Sequence, residues 1–346
     1  MSPATPTESD RAIADAMPHI VWINDADNVV SYFNQKWTEY TGLALADTLA
    51  VGPGSCVHPD DLAVMVALFA RSQESGTAVE ATYRLRGHEG AYRWHFARVV
   101  PFRRTGAKVA SWLGTATDIH ERHLLEQERE YLVQSTRVLG TSLDLEKTLA
   151  DVARLLVPQV ADWCAIDLVT PTGVVTRPAV AHVDPSKVEL AWELWRRAPP
   201  KPTDPQGLYA VLRTGTPELT REITDAMLVA GLPDPELLAL YRGLGLRSAM
   251  LVPLPARGRV VGALTLVSAE GGRLFDDRDL AFATELAARI ATAVDNSQLY
   301  GEAMRARHAA EAIAQEVQEQ NATIQAAFLE LRRERDDALA ARTRES

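Results

Sequence analysis

The stretch DDRDLAFATELAARIATAVDNSQLY, Asp276 to Tyr300, decides how the chain is organised. Its opening acids suit a helix N-terminus. Leu280, Ala283, Leu286, Ala287, Ile290, Ala291 and Val294 then recur at helical spacing, which marks a face packed on a domain. From Asp279 to about Arg342 there is no proline, and Gly301 is the only glycine. Past Tyr300 the apolar period changes. Ala303, Ala306, Ala310, Ile313, Val317, Gln320, Ile324, Ala327, Leu331, Glu334 and Ala338 follow alternating steps of three and four, an imperfect coiled-coil seam. A continuous helix of about 65 residues runs on the order of 95 Å. No compact domain in a chain of this size covers that length. The expectation is a helix that leaves the globular body and meets a partner, most simply a second copy, with Ile313, Val317, Ile324 and Leu331 in the seam.

The 346 residues allow two folded domains and a helical tail. Hydrophobic residues make up 47 %, enough to build real cores. A formal charge of −10 argues against a nucleic-acid surface, which needs clustered Lys and Arg. Two cysteines, Cys56 and Cys164, give no disulfide framework and suggest a reducing compartment. The N-terminal MSPATPTESD has no basic or apolar region of a signal peptide. No apolar run is long enough to span a bilayer. The reading is a cytoplasmic protein with no membrane partner.

The segment after the lead-in, residues 1–17, is punctuated as an α+β domain. Pro18 to Asn24 and Val29 to Phe33 read as two strands about an Asp25–Asn28 turn. Asn34 is placed to cap a helix over Gln35–Tyr40, ended by Gly42. Gly52-Pro53-Gly54 reads as a loop, and His58-Pro59-Asp60-Asp61 opens a helix closed by Gly76. Ala78–Arg86, Ala91–Phe102 and Lys108–Ile119 read as three strands, with turns at Gly87–Gly90 and Gly106. In the second of these, Tyr92, Trp94 and Phe96 form one face, and His95 on the other is expected at solvent or a helix edge. Several runs together resemble a PAS domain with its C-terminal PAC half: Val21-Trp22, Tyr32-Phe33-Asn34, Trp37 to Gly42, His58 to Asp61, Tyr83 to Arg86, Tyr92-Arg93-Trp94 and Gly114 to Ile119. The resemblance covers residues 18–119. It implies a sensory or dimerising module in which Asp118-Ile119 relays strain into the following helix; His120 stands where the family often has Thr.

The resemblance does not name a ligand. Cys56, in Gly54-Ser55-Cys56-Val57-His58, lacks the Asn-Cys-Arg-Phe setting of flavin photosensors and reads as a buried or loop thiol. Haem-binding members take an axial His from a helix or strand; here His58 has a cap or turn role available to it and His95 reads as a solvent or helix-edge residue, with haem through either the lesser alternative. Trp22, Trp94 and Trp112 read as core or dimer-contact residues.

Residues 120–144 form a connector, helical from His120 to Leu139 and therefore stiff, which suits either a relay or an inert spacer. After it, Ser142 or Asp144 can cap a helix over Leu145–Val157. Ala161–Val169 and Val174–Val183 read as strands, then helices start at Asp184-Pro185 and Gln206 around the Pro-rich run Ala198–Pro205. A helix pair spans Asp225–Gly243, broken near Pro233, and a hairpin runs from Arg247 to Ser268 about Arg257-Gly258. Ala161 to Asp167, Leu244 to Ser248, Val252-Pro253-Leu254 and Gly258 to Leu266 resemble a GAF domain over residues 145–298, leaving 299–346 for the coiled coil. The resemblance implies a small-molecule pocket covered here by the Pro-rich loop and the Asp225–Gly243 helices. Phe275-Asp276-Asp277 is only a fragment of the cyclic-nucleotide signature, and Cys164, mid-strand, reads as core rather than as a tetrapyrrole anchor. Arg177, Arg213 and Arg247 could line an anion site or stand as solvated strand-end charges. The cofactor is left unknown, and an empty scaffold stands beside a ligand-holding domain.

No phosphate loop, nucleophile elbow or metal-ligand spacing is found. His182, before Asp184-Pro185, reads as a turn residue. His308 lacks the setting of a phosphoacceptor histidine, so no catalytic residue is assigned and the chain is not expected to be an enzyme. The expected architecture is α+β: two antiparallel-sheet sensory domains joined by a helix, ending in a coiled coil. The expected role is sensing and homodimerisation as the input region, or a partner, of a two-component histidine kinase. The alternative is a scaffold binding a protein partner through the C-terminal helix.

Overall fold

The computed structural model describes residues 8–344 except 26–28, 104–108, 141, 143 and 233. The expected turns at Asp25–Asn28 and Gly106, and the break at Pro233, fall wholly or mainly outside the described residues. The chain forms two compact units that divide between Arg129 and Glu130.

The first unit has strands β1 (Ile20–Asp25), β2 (Val30–Phe33), β3 (Val79–Arg86), β4 (Tyr92–Arg103) and β5 (Val109–Asp118) in the order β2-β1-β5-β4-β3, with every pairing antiparallel. Helices α1 (Glu8–Asp15), α2 (Gln35–Thr41), α3 (Leu45–Val51) and α4 (Pro59–Ser75) accompany it. One sheet face carries Trp22, Tyr83, Leu85, Val99 and Trp112 into a core shared with Trp37 and Met65. α1 contributes Ala14 to a smaller cluster with Val21 and Tyr32. Gly114 on β5 is required by this packing. A Cβ there would come within 2.1 Å of the Trp22 ring.

Four local readings are corrected. Asn34 stands at the N-cap of α2 but makes no cap bond. Its Oδ1 accepts from Val21 N–H at 2.9 Å, and its Nδ2 donates to the carbonyls of Ala14 and His19. A buried amide thus ties α1, β1 and β2 together. α3 was not read, and Gly52-Pro53-Gly54 leads into a 3-10 turn over Pro53–Cys56. On β4 the core-facing set is His95, Ala97 and Val99. His95 is buried at 1 % exposure, edge-on to Tyr40, and its Nδ1 donates to the Arg93 carbonyl. Trp94 lies on the other face between Arg84 and His123.

α5 (His120–Leu139) follows β5, and α6 (Leu145–Leu156) opens the second domain, with Asp144 accepting from Lys147 N–H as its cap. The second sheet has β6 (Trp163–Val169), β7 (Val175–His182), β8 (Glu218–Thr220), β9 (Ser248–Ala256) and β10 (Arg259–Ser268), ordered β7-β6-β10-β9-β8 and antiparallel throughout. β8, only three residues long, was not read from the sequence. Helices α7 (Ser186–Arg197), α8 (Leu208–Thr214), α9 (Asp225–Gly231) and α10 (Pro235–Gly243) lie between β7 and β9. Residue alternation separates the two faces. Cys164, Ile166, Leu264 and Leu266 point into one core with Leu149 and Val152 of α6, whereas Trp163 and Val267 belong to another with Leu194 and Leu244.

α11 runs unbroken for 68 residues, Asp277–Arg344, about 100 Å of helix. Asp276 Oδ1 caps it by accepting from the N–H groups of Arg278 and Asp279. Leu286, Ile290 and Val294 are fully buried in the core with α6. At the last buried turn, Asp295 pairs with Arg257 at 2.7 Å; Arg257 is the one non-glycine residue with positive φ among those described. Beyond Tyr300 the apolar side chains stand in solvent: Ile313, Val317, Ile324 and Leu331 are 62, 49, 65 and 65 % exposed.

Replacing Asn34 with Ala leaves the buried Val21 N–H and two carbonyls without their partner. The cost expected in urea unfolding is about 1–3 kcal/mol, and Asn34→Asp should not restore it, since Asp cannot donate to Ala14 and His19.

Candidate functional sites

Each domain carries a cavity between its sheet and its helices. In the first, about 220 Å³ is enclosed by Trp22, Phe33, Trp37, Met65, Phe69 and Tyr83 among others, with Asn24 also in the wall. Cys56 is buried in the core, and His58 is engaged at the start of α4, where its Nδ1 accepts from Asp60 N–H. The neighbouring Asp61 takes three bonds from Arg84: the backbone N–H, Nε and Nη2. Those bonds dock α4 on β3 and hold the Asp61 carboxyl below the usual carboxylate range. The His58-Pro59-Asp60-Asp61 motif therefore has a structural explanation.

Asp118 and Ile119 sit at the junction of β5 and α5. Arg93 Nε donates to Asp118 Oδ2 at 2.7 Å, and His120 N–H donates to Oδ1 at 2.8 Å. Ile119 N–H donates to the Trp94 carbonyl. Burial pushes the Asp118 carboxyl up, but Arg93 and the helix N–H outweigh it and hold it below its ordinary range. A strand end, a cross-strand arginine and a helix start thus meet at one carboxylate.

The second cavity, about 200 Å³, has Trp163 and Ala165 of β6, Thr265 and Val267 of β10 and Arg177 of β7 on its sheet side. α7 supplies Leu194 and Trp195, the Pro-rich loop supplies Pro200, and α10 supplies Tyr241. The cover differs from the expected one in including α7 and not α9. Cys164 is fully buried near the start of β6, and burial pushes its thiol far up, which suits a core residue and not an attacking thiolate.

The three arginines are separated by the fold. Arg213 donates to the carbonyls of Pro202 and Asp204 and pins the Pro-rich loop. Arg247 is exposed. Arg177 alone lines the cavity, and it is not a strand-end charge. Its Nε and Nη2 donate to the two carboxylate oxygens of Asp167 at 2.7 and 2.9 Å, and its guanidinium lies 3.9 Å from the Trp195 ring centroid. Asp167 is fully buried. Burial pushes its carboxyl up, and Arg177 opposes that shift. The fork geometry and the aromatic face both suit Arg over Lys. Sequence reasoning listed Arg177 but missed Asp167, Trp195 and Tyr241; the signal for Asp167 was a carboxylate inside an otherwise apolar strand. His182 has the turn role read for it, its Nδ1 accepting from Asp184 N–H, and it is also buried against Trp163.

The seam residues Ile313, Val317, Ile324 and Leu331 lie on one long helix, remote in sequence from both cavities. Among the described residues no cluster of His, Cys, Asp or Glu could hold a metal ion, and no helix is long and apolar enough to cross a membrane.

The sheet orders and pocket positions define the class. The chain is a PAS-fold domain followed by a GAF domain: the PAS fold model matches residues 30–116 and the GAF domain model residues 144–294. Among curated proteins it is 32 % identical over 145 residues to the peroxide stress-activated histidine kinase mak1 of Schizosaccharomyces pombe, covering 39 % of this chain and 9 % of that protein. It is 30 % identical over 115 residues to the uncharacterized protein y4lL of Sinorhizobium fredii, covering 33 % of this chain and 14 % of that one. The chain therefore spans a small part of the relatives it matches. Among solved structures, the GAF domain of an Acinetobacter phosphoenolpyruvate-protein phosphotransferase is 15 % identical, with 50 % of this chain and 95 % of that chain covered at a TM-score of 0.38. The PAS domain of a Colwellia psychrerythraea protein is 17 % identical, with 33 % and 98 % covered at 0.30.

Removing Arg177 strands a buried carboxylate. Arg177→Ala is expected to lower the unfolding free energy of the second domain by about 3–5 kcal/mol, and the Asp167→Leu, Arg177→Met pair by much less, measured by urea titration. Asp118 behaves differently. With its folded pKa depressed, its contribution is present above the ordinary carboxylate range and is lost as pH falls through the folded value. The stability gap between wild type and Asp118→Ala should be about 0.5–2 kcal/mol at pH 7 and shrink progressively as pH falls below the ordinary carboxylate range.

Proposed function

We propose that this PAS–GAF chain is a cytoplasmic sensory module that passes a change in its domains to α11 and works as a homodimer joined along that helix. One observation carries the reading. The sheet that lines the GAF cavity on one face packs α11 on the other, and α11 then continues far beyond the domain. Adjacent residues of β10 divide the work: Thr265 and Val267 meet the cavity, and Leu264 and Leu266 meet the core that holds Leu286 and Ile290. A ligand that reshapes the cavity wall pushes on the helix one sheet thickness away. Arg257 on the β9–β10 turn grips Asp295 at the helix exit and joins the same sheet to the rod a second time. Asp118 and Ile119 give the PAS domain its own junction into a helix, the relay position for a signal arising there.

The charges beside the seam support a second copy running in the same direction. With Ala303, Ala310, Val317, Ile324 and Leu331 as the a positions, the g positions include Glu302, Glu316 and Glu330, and the e positions include Arg307 and Arg335. A parallel pair sets Glu302 against Arg307 of the partner subunit, and Glu330 against Arg335 of the partner subunit. An antiparallel pair opposes glutamates to glutamates and arginines to arginines. The similarity to a segment of a histidine kinase supports placing the module upstream of a kinase, or beside one, in two-component signalling. With no catalytic group assigned in either domain, the output is mechanical, delivered by α11 to a protein partner.

Sedimentation and light scattering test this. The wild-type chain should have twice the monomer mass, and Ile313→Pro should shift it toward the monomer. Glu302→Lys with Glu330→Lys should weaken the dimer by about 0.2–1 kcal/mol per opposed pair at low salt, and adding Arg307→Glu with Arg335→Glu should recover it. A monomeric wild type would end the proposal.

A further inference from the structure

The arginine in the GAF cavity invites an anion, but its chemistry points the other way. Among the described residues Arg177 is the only charged side chain in the cavity wall, and its charge is already used. Asp167, fully buried, holds it through both carboxylate oxygens, and the fork is clamped further against Trp195. The pair is neutral as a unit. A second anion beside it would stand in a half-closed apolar space with its charge uncompensated, which costs far more than the remaining N–H bonds return. Asp167 engages only Nε and Nη2, so Nη1 keeps donor capacity on the cavity-lining residue. Apart from Thr265 and Cys164, the rest of the wall is aromatic or aliphatic, with Trp163, Trp195, Tyr241, Leu194 and Pro200 prominent in it. At about 200 Å³ the space lies below the roughly 300–1,000 Å³ of pockets for drug-sized ligands, and far below what a tetrapyrrole fills.

Resting on the sensory reading above, we propose that the GAF ligand is a small, uncharged aromatic molecule with one carbonyl-type acceptor, its ring among Trp163, Trp195 and Tyr241 and its oxygen on Arg177. Aromatic rings match such a wall at little entropic cost, and a neutral acceptor takes the spare guanidinium bonds without upsetting the ion pair. Carboxylates, phosphates and cyclic nucleotides are disfavoured by the same reasoning.

Benzamide and benzoate separate the two readings, being nearly equal in shape and different in charge. Calorimetric titration of the full chain should show saturable binding of benzamide, with benzoate at least about tenfold weaker. Arg177→Lys, which keeps the charge beside Asp167 but not the fork, should weaken benzamide. Ala191→Phe, which fills the cavity from α7, should abolish binding without changing the mass of the assembly. Tighter binding of benzoate would overturn the ligand class and leave the sensory role standing. Absence of binding by either compound, or benzamide binding that survives Ala191→Phe, would overturn the assignment as well. The dimeric relay is judged separately, by the mass of the ligand-free chain and its Ile313→Pro variant.

Discussion

The burial of one face of α11 against the GAF sheet is the constraint on which the remaining organisation depends. Leu286, Ile290 and Val294 are lost to solvent completely, in one core with α6 and the inner residues of β6, β9 and β10. Each fully buried aliphatic side chain contributes on the order of 1.5–3 kcal/mol. Once that face is committed, the direction of the helix is set, and its continuation past Tyr300 must project away from the packing that fixed it. The opposite sheet face is then the only one left for a cavity, and α7, α10 and the Pro-rich loop close over it.

The two domains answer the same problem with different chemistry. The PAS unit pins its pieces with polar side chains that bridge two elements: buried Asn34 accepts from Val21 N–H and donates to two carbonyls, and Asp61 and Asp118 each accept from one backbone N–H and from an arginine. Each stands at or beside the start of a helix, Asn34 before α2, Asp61 in the first turn of α4 and Asp118 before α5. The GAF unit relies on a larger apolar core and places a buried ion pair, Asp167–Arg177, at the cavity edge. A buried pair of this kind adds little to stability compared with apolar replacements, yet it fixes one arrangement of the groups around it. Here it holds the guanidinium on Trp195 and so shapes the wall.

Much of this was legible in the residues because period and punctuation agree. α11 announced itself through a proline-free run with an apolar stripe, α5 through its charged helical pattern, and the β9–β10 hairpin through Arg257-Gly258. The inward face of β4 was misread because two of its three inward residues are small or polar, while the bulkier Trp94 and Phe96 face outward; period alone cannot say which face is covered. Asn34 fitted a local cap rule, but long-range partners won. α3 and β8 are too short to carry a period. The Arg177 site was only half visible. A bidentate pair between strands and its aromatic neighbour depend on β6–β7 pairing and on where α7 lands, neither of which a linear pattern records.

The Arg257–Asp295 clamp has a bearing on the traffic of free energy through the molecule. Asp295 is 5 % exposed and lies at the end of the buried stretch of α11, held by a residue in a sparsely populated backbone conformation at the hairpin tip. A connection of this sort has no preferred direction. By reciprocity of linked equilibria, whatever factor an occupant of the cavity imposes on association at the far end of the helix, association imposes on the occupant. If the proposed ligand and dimer both hold, the affinity of the cavity becomes a property of the assembled chain, and a GAF domain cut away from its rod would bind differently.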